Sequence, residues 1–319
     1  MILIYNYLTL KIIEIDISQA DRDGRGPIQF IKSIANILPY KNKGCLFIPS
    51  KSIRPINSKN KSNYFYKSYP YFPESIYKEW IISNRSNNLI LGPNFIPSKW
   101  NYFPNKRIWK EREIRKILIN IKGIVVHSKR VRNHLATRSN TIDLSKKFII
   151  VRACTNAKQK YIRPFKNRKI DILFFEKYPD SNRMNQASQL LSYFNNTNLS
   201  IEKLKYGRYS RIHMMKLSNQ VKFIIYFSFF DTGAIGLKEI QNQGVFSFTL
   251  QKDLAIHNYT CMFVDELNNE FDMEPAFKII YGKIKELYNN PPNSKLIAKI
   301  NQKINGCERA LDDLCTGIS

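Results

Sequence analysis

Acidic residues are scarce in this sequence. Over 319 residues, 25 Asp and Glu face 51 Lys and Arg, a formal charge of +26, so a polyanion or an anionic surface is attracted at low salt. Glycine is scarce too, with 12 in the chain, and none falls in a G-x-x-x-x-G-K-S/T loop, which disfavours a P-loop nucleotide hydrolase. A G-x-S-x-G elbow is missing, which removes the Ser-His hydrolases of the α/β class. The five cysteines, Cys45, Cys154, Cys261, Cys307 and Cys315, form no C-x-x-C pair and have no histidine at zinc-finger spacing, so the expectation is a reduced chain with no metal. His134, His213 and His257 lack metal-ligand spacing and read as structural or surface residues. Long apolar runs are absent as well. No stretch reaches the ~20 residues of a transmembrane helix, and the apolar N-terminus lacks the basic region and cleavage site of a secretory signal. The expectation is a cytoplasmic protein, soluble or held peripherally on an anionic membrane.

What is abundant is Ile, Asn, Lys, Tyr and Phe. The cations are spread along the whole chain, which matches the codon bias of an AT-rich genome, so a non-catalytic basic α/β nucleic-acid-binding protein is the alternative and not the first reading. With 43% hydrophobic residues at this length, two cores fit more easily than one. Short apolar runs alternate with amphipathic stretches, the pattern of α/β units with parallel strands. In the first half, strands are expected at 1–8, 45–49, 88–91, 121–127 and 148–152, and helices at 28–38, 74–84, 108–119 and 129–138. The pattern restarts in the second half, with strands at 169–175, 201–206, 221–228, 245–250 and 262–264, and helices at 184–194, 211–218, 234–243 and 274–289. A further helix is expected over 294–314. The basic, proline-containing stretch 155–168 reads as the boundary, and 50–71, rich in Lys, Asn, Ser and Tyr, as a solvated excursion.

Glycine is most concentrated in FDTGAIGLKEIQNQGVFSF, which places Asp231 and Glu239 eight apart between two apolar runs. The segment reads as strand, turn, helix and strand, with the helix opening near Gly233 and ending at Gly244. Such a helix points its N–H groups at the carboxyl edge of the sheet, where open α/β folds bind ligands. A phosphate would be stabilised there, and Glu239, about two turns along, would reach sugar hydroxyls.

The frame acid, seven residues, Glu, then Gly244-Val245, resembles that of the retaining GT-B glycosyltransferases, family 4-like in its acid-x7-Glu motif. It departs from the family in having Asp231 for the first Glu, a displaced glycine, and Phe246 where Pro often sits. Lys177 and Arg183 match the family's cations that hold the donor diphosphate, with Glu176 in place of a glycine; as two of 51 cations they also read as a solvated face. The stretch DRDGRGPIQF resembles the N-terminal loop facing donor and acceptor, with Gly24, Arg25, Gly26 and Pro27 the matching residues. His127-Ser128 ends one strand and opens a helix, where cleft residues occur, and Ser128 also reads as an N-cap. Gly92-Pro93-Asn94 ends another strand, as a turn first and a site second.

The resemblance implies an α/β GT-B fold, two Rossmann-like domains facing across a cleft. Residues 1–154 would be the acceptor-side domain, 155–168 the linker, 169–292 the nucleotide-sugar-binding domain, and 293–319 a C-terminal helix packing at the domain junction. It implies a retaining, metal-independent glycosyltransferase with no cofactor, using a nucleotide-sugar as co-substrate and a glycan, protein or lipid as acceptor. The implied catalytic residues are Asp231, Glu239 and His127. Donor binding would fall to Lys177, Arg183, Thr232, Gly233, Ala234 and Glu239, and the N-terminal loop facing the substrates to Gly24, Arg25, Gly26 and Asn94.

Overall fold

A computed structural model describes residues 10–18, 20–21, 26–42, 44–51, 64–68, 88–93, 120–138, 147–156, 161–177, 181–205, 207–228, 231 and 233–318. The expected strand at 1–8 and the helices at 74–84 and 108–119 lie outside these residues. The chain forms two compact units, one of residues 1–156 with 306–319 and the other of residues 157–305.

The first unit contains β1 (Lys11–Asp16), α1 (Gly26–Ala35), β2 (Tyr40–Lys41), β3 (Cys45–Ser50), β4 (Tyr64–Ser68), β5 (Leu89–Gly92), β6 (Gly123–Val126), α2 (Lys129–Arg138) and β7 (Phe148–Ile150). Its sheet runs β2-β3-β1-β4-β5-β6-β7. All neighbours are parallel except the short β2, which is antiparallel to β3. In β5 and β6, LILG and GIVV are buried at every position, as expected of parallel strands covered on both faces. In α1, Ile28, Ile31 and Ile34 are buried at helical spacing, and Pro27 sits in the first turn, where its missing N–H costs nothing. The stretch 50–71, expected as a solvated excursion, instead supplies β4, which pairs with β1 and β5. Phe65 and Tyr66 are buried there; a polar, lysine-rich surrounding hid a short strand whose neighbours are far away in sequence.

The second unit contains β8 (Ile170–Glu176), α3 (Ser181–Asn195), β9 (Ile201–Lys205), α4 (Arg211–Ser218), β10 (Val221–Phe227), α5 (Ile235–Gln241), β11 (Phe246–Thr249), β12 (Cys261–Phe263), α6 (Glu274–Asn289) and α7 (Ser294–Ile304). All five strands are parallel, in the order β12-β11-β10-β8-β9. Alternate residues of the central strands enter opposite cores. Ile172, Phe174, Phe223 and Ile225 pack with Leu190, Phe194, Ile280 and Ile284 of α3 and α6. Leu173, Phe175, Ile224 and Tyr226 pack with Met214, Leu217, Leu237 and Ile240 of α4 and α5. A side-chain period of two on strands buried on both faces gives this doubly wound arrangement. The chain leaves β8 first to β9 on one side and then to β10 on the other, so the strand order reverses between β8 and β10, and a ligand crevice is expected at their carboxyl ends.

Arg168, read from sequence as part of a polar boundary, is buried in this unit. Its guanidinium donates to the carbonyls of Val221 (2.6 Å), Gln243 (2.6 Å), Arg163 (3.1 Å) and Ser218 (3.4 Å). Beside it, Phe165 packs edge-on against Phe223.

The single helix expected over 294–314 is two. After α7 the chain breaks at Asn305, whose N–H still bonds Asn301 O at 2.8 Å, and α8 (Cys307–Ile318) belongs to the first unit. There Asp313 takes two bonds from the Arg152 guanidinium, at 2.7 and 2.8 Å, and Asp312 accepts from Tyr40 and Asn42. The expectation of a wholly reduced chain is corrected by a disulfide between Cys45 of β3 and Cys315 of α8. The two cysteines are 270 residues apart, so their pairing leaves no local spacing to read, yet the fold places their Cα atoms 6.1 Å apart. Cys154, Cys261 and Cys307 are buried thiols.

Candidate functional site

The strongest cluster of chemistry lies at the carboxyl ends of β8 and β10. The apolar run VKFIIYF fixes β10 as a buried strand, and the chain then turns through Asp231 and Gly233 into α5. Asp231 is 5% exposed. Its Oδ2 accepts from Lys177 Nζ and Tyr226 OH, and its Oδ1 accepts the Gly233 N–H at 3.2 Å. Lys177 directly follows β8, and its own N–H bonds Phe227 O at 3.0 Å, so one backbone contact sets the cation beside the acid. Burial alone would raise the Asp231 carboxyl. The charge of Lys177 and hydrogen bonds from Lys177, Tyr226 and the Ala234 N–H outweigh it and hold the carboxyl at about 2.

Between Asp231 and α5, Ala234 adopts φ 46° and ψ 38°. A residue with a Cβ in this left-handed region costs roughly 1–2 kcal/mol, and such strain gathers at sites where the backbone must be aimed. No side chain caps α5. At the other end of the corner, Gly244 has φ 79°, and a Cβ there would meet Ser294 O at 2.2 Å, so only glycine fits.

Glu239 lies on α5 and is 3% exposed. Its Oε1 receives two N–H groups of Arg211, Nε at 2.9 Å and Nη2 at 2.7 Å. Burial raises the Glu239 carboxyl above its ordinary range, and the hydrogen bonds and charge of Arg211 pull the other way. Arg211 is the first residue of α4, where Ser210 caps the helix by accepting the His213 N–H. Glu176, at the last position of β8, is buried beside Lys203 (3.4 Å) and Lys205 (3.8 Å), and its Oε2 makes no hydrogen bond.

No protein-family model and no curated protein matches the sequence. Among solved structures, the apo form of the lipopolysaccharide outer core galactosyltransferase WaaB is similar over 97% of this chain and 99% of that one, at 11% identity and a TM-score of 0.51. The chain has the GT-B glycosyltransferase fold. TarM (TM-score 0.48, 10% identity, 82% of this chain) and the GtfA/B complex (0.49, 10%, 80%) are also similar. The chain covers 56% and 57% of those two chains, little more than half of each.

Within the GT-B fold, the structure joins Asp231, Gly233 and Ala234 with Lys177 in one cluster and sets Glu239 on the helix that follows. Arg183 lies in the first turn of α3, and Gly26 is the first residue of α1. Thr232, Gly24, Arg25 and Asn94 lie outside the described residues. His127, in the first unit, is buried at the carboxyl end of β6, where its Nδ1 bonds Val151 O at 2.9 Å and its ring meets Phe30 edge-on at 5.0 Å. Ser128 Oγ accepts the Val131 N–H at 3.2 Å, as an N-cap of α2. Sequence reasoning missed Tyr226 and Arg211. Tyr226 reads as one more apolar residue of β10, and Arg211 as one of 51 cations at the start of the helix expected over 211–218. Among the described residues, no group of three His, Cys, Asp or Glu is placed to hold a metal ion, and no helix is long and apolar enough to cross a membrane.

Proposed function

We propose that this chain is a glycosyltransferase that moves a sugar from a nucleotide-sugar donor to a glycan acceptor, with retention at the anomeric carbon and without a metal. The observation that carries the reading is the Lys177–Asp231 pair, its acid buried, at the point where the strand order of the second unit reverses. A cation there suits a donor diphosphate, and a carboxylate held ionised by its neighbours suits a sugar hydroxyl. In this reading Lys177 and Arg183 hold the diphosphate, and Gly233 and Ala234, whose N–H groups bond Asp231, border the donor. Asp231 and Glu239 accept from donor hydroxyls, and His127 serves as the catalytic residue of the first unit. The bond from the anomeric carbon to the diphosphate breaks, the acceptor oxygen bonds to that carbon, and the acceptor's proton leaves with the departing phosphate. Positive charge at the leaving group offsets the charge that develops there. That WaaB is described as a galactosyltransferase of the lipopolysaccharide outer core supports a glycan acceptor. The rival reading, a non-catalytic nucleic-acid binder, gives the buried acids Asp231 and Glu239 no role.

The test is calorimetric titration with a panel of nucleoside diphosphates, with and without chelator. Binding that survives chelator and weakens in Lys177→Ala and Arg183→Ala supports the reading. Binding abolished by chelator contradicts the metal-free form, and no binding across the panel contradicts the function.

A further inference from the structure

Arg211 spends its hydrogen bonds in an uneven way. Both of its bonds to Glu239, from Nε and Nη2, end on the same oxygen, Oε1. A carboxylate beside a guanidinium commonly takes two parallel bonds, one on each oxygen; here the second oxygen is left out of the pair. The Arg211 side chain is 48% exposed while that of Glu239 is 4% exposed, so the cation reaches from the surface to an acid in the interior. Its position on α4 opposes the pairing's purely local logic. It opens a helix whose first turn holds no acid, and a cation at a helix N-terminus is disfavoured by the dipole. What offsets that cost is the carboxylate on the next helix, α5.

We propose that Arg211 is a positioning residue for donor binding, which grips Oε1 of Glu239 and leaves Oε2 to accept from the ribose hydroxyls of the nucleotide. This inference rests on the glycosyltransferase reading and adds a residue to its donor site. Arg211 acts through Glu239 and makes no contact with the phosphates.

The experiment compares a nucleoside diphosphate that binds the parent with its 2′,3′-dideoxy counterpart, titrated into the parent, Arg211→Gln, Arg211→Lys and Glu239→Gln across pH 5 to 8. With Glu239 no longer held in place, binding of the full nucleotide weakens by about 10- to 100-fold in Arg211→Gln. The dideoxy ligand binds parent and Arg211→Gln within about twofold, because the hydroxyls that Glu239 serves are gone. The acidic limb of the binding profile moves to higher pH in Arg211→Gln, since the carboxylate has lost the cation that opposes its burial, and Arg211→Lys restores part of it. The effects of Arg211→Gln and Glu239→Gln are not additive, as expected of two residues acting as one. A loss that persists with the dideoxy ligand shows that Arg211 holds phosphate and overturns the inference, as does an unchanged affinity in Arg211→Gln. A parent that binds no nucleoside diphosphate overturns the glycosyltransferase reading and this inference with it.

Discussion

Replacing Asp231 by Asn tests whether the acid at the strand reversal is held by charge or only by shape. Asn keeps the volume and an oxygen for the Gly233 N–H, which Asp231 accepts at 3.2 Å, so the change removes the charge opposite Lys177 and replaces Oδ2, the acceptor for Lys177 and Tyr226, by an amide N–H group. The Asp231 carboxyl sits at about 2 against an ordinary 3.8, a difference that corresponds to about 2–3 kcal/mol of stability at neutral pH. Lys177, whose side chain is 13% exposed, is then left with no counter-charge from Asp231, which takes the expected loss toward about 3–5 kcal/mol. The sign follows from a folded-state pKa below the unfolded one. The contribution is complete above the ordinary 3.8 and is lost as pH falls toward about 2, with roughly half remaining near pH 3. Urea unfolding followed by far-ultraviolet circular dichroism, from pH 7 to pH 3, reads the gap between parent and Asp231→Asn. The gap should narrow with falling pH, and Lys177→Met in the Asp231→Asn background should recover much of it, since an apolar replacement of a buried pair is close to neutral. A gap that stays constant over this range, or one under about 0.5 kcal/mol at pH 7, refutes the electrostatic account of the pair.

Further outcomes are expected away from that pair. Ala234→Gly should raise urea stability by about 0.5–1 kcal/mol, because relief of the left-handed strain exceeds the entropy that glycine adds to the unfolded chain; a loss of stability would show that Ala234 is not strained. Cys45→Ser should lower stability by about 2–5 kcal/mol, since the disulfide to Cys315 closes a loop spanning 270 residues. Thiol labelling of the unfolded parent without reductant should find the three thiols Cys154, Cys261 and Cys307, and labelling at Cys45 or Cys315 would contradict the pairing.

Much of the second unit was legible in the sequence because its central strands are largely apolar runs. IDILFFE and VKFIIYF announce β8 and β10, and Gly244 marks the end of the corner because only a residue without a Cβ fits under Ser294. The first unit was harder. Its β1, KIIEID, carries a lysine and two acids, and β4, YFYKS, is embedded in polar sequence, so neither stands out by composition although both are central in the sheet. The acids Asp231 and Glu239 were found because their spacing lies within one strand, turn and helix. Their partners were not found together because strand order decides which distant residues meet. Lys177 reaches Asp231 only because β8 lies next to β10, and Arg211 reaches Glu239 only because α4 and α5 share one face of the sheet. The same reasoning covers Cys45 and Cys315, which meet through the placement of α8 and carry no local spacing.

The most direct measurement is release of nucleoside diphosphate from a panel of nucleotide-sugars, with and without glycan acceptors, by the parent and by Asp231→Asn shown to be folded. Glycosyl transfer predicts turnover of at least one donor by the parent, stimulated by an acceptor, and a fall of about 100-fold or more in the variant. Turnover that is equal in parent and variant, or absent for every donor in the panel, would contradict it.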